Sequence, residues 1–125
     1  MADRLLRLVP ILLYCAGIFL LSGLPHIPDA VSWMPDKIGH FIVYAGLGFL
    51  VAQEIRLRGL QSSRWIWAGS ALFCLLYGIS DELHQSFVPG RTAQIGDVAA
   101  DTAGGLTAGV MYVLWGAGKQ VTREK

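Results

Sequence analysis

The chain has 125 residues, of which 54% are hydrophobic and only 15% charged, and its formal net charge is +1. A soluble domain carries about 25% charged residues, so this composition, with a mean hydropathy of +0.49, indicates a membrane protein. The length fits a single domain, residues 1–125,, and so small a net charge excludes nucleic acid or an acidic macromolecule as a charge-driven partner.

The first apolar run, about residues 5–24, is LLRLVPILLYCAGIFLLSGL. A helix needs about 20 residues to cross a hydrocarbon core of about 30 Å, and this run has them. Arg4 and Arg7 give it the look of a signal peptide. Its apolar stretch nevertheless exceeds the usual length of about 7–15 residues, and no convincing small-residue cleavage site follows. The expectation is a retained span.

The second run, about 35–55, carries IGHFIVYAGLGFLVA behind Asp36-Lys37, and the third, about 65–85, carries WIWAGSALFCLLYGIS ahead of Asp81-Glu82 and His84. Both reach spanning length only if their polar ends stay helical. Between them QEIRLRGLQSSR (53–64) is expected to be an ordinary solvated connection. The fourth run, about 96–117, contains VAADTAGGLTAGVMYVLWGA. The resulting expectation is an all-α, four-helix transmembrane bundle. Cys15 and Cys74 lie inside apolar runs, where they serve as small packing residues,.

Lys and Arg near span ends mark the cytoplasmic side. Arg4, Arg7, Arg56, Arg58, Arg64, Lys119, Arg123 and Lys125 fall on one side, and only Lys37 and Arg91 on the other. Both termini are therefore expected in the cytoplasm, in the cytoplasmic membrane of a multi-pass protein. Trp33 would sit at the outer boundary and Trp65, Trp67 and Trp115 at the inner one, where indoles prefer to lie. Asp36, Lys37, His40, Asp81, Glu82, His84, Arg91, Asp97 and Asp101 then gather at the outer face. Ionisable groups at such depth persist where they pair or serve a site.

Positions four apart on a helix are neighbours, and positions seven apart return to the same stripe. Asp36, His40 and Tyr44 therefore share one line. Tyr77, Asp81 and His84 share another, with Gln85 one turn beyond Asp81. Asp97, Asp101, Gly105 and Gly109 share a third. The small residues of this last run favour close helix packing, and its glycine face is the expected surface of a homodimer. Capping and compensation of the helix dipole explain Asp36 and Asp97 in part, but not His40, Asp101 or the Asp81-Glu82-x-His84 group. Pro89-Gly90 signals a turn that would present Arg91 back over the polar end.

DKIGHFIVYAGLG, SDELHQSFVPGR and the following D-x-x-x-D-x-x-G resemble the signature blocks of the VanZ-like family of small integral membrane proteins. The resemblance spans residues 36 to about 109 and places Asp36, Lys37, His40, Asp81, Glu82, Gln85, Pro89, Gly90, Arg91 and Asp97 at motif positions. Asp101 departs from it, since the family more usually has asparagine there. The resemblance implies a role in the bacterial cell envelope, tied to glycopeptide resistance and teicoplanin in particular. It implies no specific reaction.

Three readings of the polar group follow. In the first, it is a metal-dependent hydrolase or transferase site. His40, Asp81, Glu82 and His84 would be the catalytic candidates, with a divalent cation as cofactor, and Ser80 is the only nucleophile near them. In the second, Asp36, Lys37, Tyr44, Gln85, Arg91, Asp97 and Asp101 bind a ligand such as a lipid headgroup or cell-wall precursor, held by Lys37, Arg91 and two helix N-termini. In the third, the same charges are interhelical ion pairs that hold the bundle together.

Overall fold

The computed structural model describes residues 2–26, 29 and 32–123, with side chains from Arg4 to Gly116 within them. Lys125 and the side chains of Lys119 and Arg123, used above for orientation, lie outside the described residues. Among the described residues the regular structure is entirely helical: α1 Ala2–Leu6, α2 Val9–Ser22, α3 Asp36–Leu57, α4 Ser63–Gln85 and α5 Ile95–Arg123. α1 and α2 form one apolar run interrupted at Arg7-Leu8. Pro10 explains the break, because it has no N–H for the Leu6 carbonyl and its ring crowds that carbonyl.

Cross-helix contacts fix the directions. Tyr14 Oη donates to the Val43 carbonyl (2.8 Å), and Arg7 reaches the Leu57 carbonyl (3.5 Å), so α2 runs antiparallel to α3. Tyr77 Oη donates to the Cys15 carbonyl (2.6 Å) and Ser22 meets His84 (3.0 Å), so α4 runs alongside α2. α5 pairs Asp97 with Lys37 at its start and packs Gly105 on Gly48 further along, parallel to α3. The helices thus alternate up and down. α2 ends, α3 begins, α4 ends and α5 begins at one common end.

α5 packs broadly against α3 and α4, while α2 makes lighter contact with both. Glycines make the close approach. A Cβ on Gly48 would sit 2.6 Å from Gly105 Cα, and one on Gly109 would sit 2.7 Å from Trp67 Cα. Gly104 lies against the backbone of Phe41 and Ala45. The glycine face expected to join two copies is therefore already filled by α3 and α4 of the same chain. Small side chains here bring neighbouring helices of one chain close together, the packing their spacing leads one to expect.

The connection between α3 and α4 is also shorter than expected. Of the stretch 53–64, residues Gln53–Leu57 continue α3, and α4 has begun by Ser63. Glu54 is buried and pairs with Arg58 one turn on (2.6 Å), which carries the helix outward,. Gly59, at φ +89°, then ends it. The Leu60 N–H reaches the Ile55 carbonyl and the Gly59 N–H the Arg56 carbonyl, satisfying two terminal acceptors in a Schellman arrangement,.

Among the described residues two runs, Arg4–Ser22 and Asp36–Leu57, are long and apolar enough to cross a membrane. α4 and α5 have 23 and 29 residues, but small and polar residues dilute them. Those residues point inward: Ser70, Cys74, Gly78, Asp81 and Glu82 of α4 are buried, whereas Leu72, Leu76, Ile79 and Leu83 are exposed.

Packing this tight gives a direct test. Gly48→Ala or Gly105→Ala should lower stability by about 1–3 kcal/mol through overpacking, read as thermal unfolding in detergent. Gly17→Ala, with open space around it, should leave it unchanged.

Candidate functional site

The common end of the helices holds the buried carboxylates Asp81, Glu82, Asp97 and Asp101. Each has a defined setting. Asp36 and His40, four apart on α3, face the start of α5. His40 Nδ1 lies 2.9 Å from Asp101 Oδ1, while His40 Nε2 lies 4.0 Å from Asp36 Oδ1 and 3.9 Å from Asp97 Oδ2. If Asp101 is ionised it can only accept, and Nδ1 is then the donor of that short bond. Lys37 reaches over Gly96 to donate to Asp97 Oδ1 (3.1 Å) and Gln94 Oε1 (3.2 Å).

A second group lies deeper between α3 and α4. Tyr44 Oη donates to Asp81 Oδ2 (3.3 Å), and Gln85 Nε2 donates to the same oxygen (3.4 Å). Arg91 Nη2 in turn donates to Gln85 Oε1 (3.0 Å). A turn places that arginine. The Arg91 N–H bonds the Val88 carbonyl (3.1 Å), with Pro89 second and Gly90 third at φ +84°, a type II turn,. Glu82 links the groups, because its Oε2 accepts from the backbone N–H of Gln94 (2.7 Å) ahead of α5.

Two buried oxygens, Glu82 Oε1 and Asp101 Oδ2, have no hydrogen-bond partner among the described residues. Asp101 fits at all only because α4 has a glycine opposite it. A Cβ on Gly78 would lie 2.7 Å from Asp101 Oδ2.

The sequence-derived candidates thus divide. Asp36, Lys37, His40, Asp97 and Asp101 meet at the α3–α5 contact, and Tyr44, Asp81, Gln85 and Arg91 meet beside it. Glu82 lies between the two groups. His84 does not join either: its ring stacks on Phe19 of α2 at 4.1 Å and its Nδ1 lies 3.0 Å from Ser22 Oγ. Three residues apart on a helix, Asp81 and His84 point about 60° apart, enough for them to face different neighbours. Ser80 is exposed, and its hydroxyl donates to the Tyr77 carbonyl (2.7 Å). Sequence reasoning missed Ser22, Gln94 and Gly78, whose roles depend on contacts between helices and leave no local pattern.

A cavity of about 310 Å³ opens between α2, α3 and α4. Its lining is mostly apolar, with Ile18, Leu21, Ile42 and Val43, and includes the polar residues Asp36, His40, Tyr44, Asp81, Gln85 and Arg91. Ser22 and Met34 complete the rim.

The VanZ/LLP1 family model matches residues 8–116, nearly the whole chain, and the protein belongs to that family. This membership, together with the two long apolar helical runs, marks a membrane protein. Searches of the curated proteins and of the solved structures gave no match.

Gly78→Ala should displace the Asp101 carboxylate and cost about 1–3 kcal/mol. Ser80→Ala on the same helix should cost under about 0.5 kcal/mol. Thermal unfolding of the two variants side by side checks the difference.

Proposed function

We propose that this protein spans the bacterial cytoplasmic membrane with all four long helical runs, both termini in the cytoplasm. In this orientation its polar end lies at the outer rim, where the cavity binds an amphiphilic, lipid-linked molecule of the cell envelope. The exposed faces of α4 and α5 support the four-span reading. Leu72, Leu76, Ile79 and Leu83 on one helix and Val110, Met111 and Leu114 on the other face outward, while carboxylates face in. That inverted pattern suits lipid and is costly in water.

The observation that carries the ligand class is a largely apolar cavity whose lining also includes polar side chains. The apolar lining from α2 and α3 takes a hydrocarbon chain, and Arg91, which also lines the cavity, takes a head with an anionic oxygen,. Teicoplanin, itself a lipophilic glycopeptide, falls in the same chemical class, so a contribution to resistance against it follows from the proposal. Such a contribution would come from capturing the drug or a lipid-linked wall intermediate.

A purely structural role has its own support in Lys37–Asp97 and His40–Asp101, which tie α3 to α5. Serine chemistry has little. Ser22 Oγ donates to the Phe19 carbonyl (3.1 Å) and so meets His84 as an acceptor, not as an activated nucleophile.

Binding of a polyprenyl phosphate to the purified protein in lipid nanodiscs tests the ligand class. Arg91→Ala should weaken it about tenfold, the loss of one charged hydrogen bond. Leu21→Trp, which fills the cavity, should abolish it. Undiminished binding by Leu21→Trp would refute the proposal.

A further inference from the structure

We infer that Asp36, His40 and Asp97 form a site for a divalent transition-metal ion of the zinc class. The three ligand atoms lie within 4.8 Å of one another. His40 Nε2 lies about equally far from both carboxylates, at 4.0 and 3.9 Å. Zinc holds such ligands at about 2.0–2.2 Å, hence about 3.4 Å apart in a tetrahedron. Closing the remainder takes a turn of Asp36, whose side chain is 48% exposed, and a small approach of His40 and Asp97 from their 3.9 Å separation.

Three further features point to a cation. Asp101 fixes His40 Nδ1 at 2.9 Å, which leaves Nε2 as the ring atom turned toward Asp36 and Asp97. A buried carboxylate behind a histidine is also the arrangement that orients metal-bound imidazoles. Asp101 is therefore a positioning residue. Finally, the end of the molecule buries four carboxylates, and among the described residues Lys37 is the one fixed cation paired with them, Arg91 reaching Gln85 and not an acid. Glu82, buried and with one oxygen unpartnered among the described residues, adds to the unbalanced charge.

One imidazole and two carboxylates favour zinc, manganese or ferrous iron over calcium. Three protein ligands leave a fourth position open. Asp36 and His40 both line the cavity, so a fourth ligand reaching the ion from that side would be an anionic oxygen of the ligand head. This last step alone rests on the amphiphile reading; the metal site does not.

Zinc chloride titrated calorimetrically into the purified full-length protein, without lipid ligand, tests the site. The expected result is one ion per chain, with affinity lowered at least tenfold by His40→Ala and by Asp97→Asn. Asp101→Asn should lower it about tenfold, the usual loss from removing an outer-shell partner. His84→Ala and Leu21→Trp should bind as the wild type does, so the metal site and the amphiphile pocket fail separately. Should the His40 and Asp97 variants not fold, Lys37→Met decides. Removing the ammonium beside Asp97 should tighten zinc binding several-fold, a gain that no folding defect mimics. Absent binding, binding indifferent to His40→Ala, or a Lys37→Met protein that binds no tighter would each overturn the site.

Discussion

Burial of four carboxylates at one end of an otherwise apolar helical package is the constraint on which the rest of this structure depends. An unpaired buried charge costs several kcal/mol, so each acid must find a proton donor or a cation from another helix. Asp97 takes Lys37, Asp101 takes His40, Asp81 takes Tyr44 and Gln85, and Glu82 takes the backbone ahead of α5. Every one of these partners lies on a different segment from its acid except Gln85. The polar end therefore holds the helices in register as well as forming a recess.

Close approach makes those pairings reachable. Carboxylates are short, and Asp101 could not touch His40 while lying under α4 unless backbones came within glycine distance. Gly48 against Gly105 sets the α3–α5 spacing, and Gly78 opens room for the Asp101 carboxylate. The same glycines lower the apolar content of α4 and α5, which explains why these helices look less like membrane segments than α3 while presenting leucines outward. Packing and composition are two sides of one choice: inside is small and polar, outside is large and greasy.

The all-helical fold and the family were legible in the sequence, since long apolar runs and the DKxxH and DExxQ blocks are local signals. The Asp36–His40 adjacency was legible as well, because four residues make one helical turn. What joined across helices was not. Nothing local says that Asp101 faces His40, that Asp81 faces Tyr44, or that His84 turns to Ser22 on α2. The glycine pattern announced close packing but not its partner, and the helices of the same chain claimed it. Likewise the polar letters of 53–64 looked like a loop. An i,i+4 pair from Glu54 to Arg58 extends the helix through them, and only Gly59 stops it.

Acids so buried are affordable near water and not at the centre of a bilayer, which is why the proposed orientation places their end at the outer rim. Arginines at the opposite end, Arg56, Arg58 and Arg64, fit the same direction through the positive-inside rule. Single cysteines at two exposed positions, Ala93 at the polar end and Gln61 at the other, measure it most directly once Cys15 and Cys74 are replaced by serine. With a membrane-impermeant thiol reagent on intact cells, the cysteine at 93 should be labelled at once and the one at 61 only after the membrane is opened. The reverse pattern, with 61 labelled and 93 protected, would put the acidic end in the cytoplasm and contradict the proposed function.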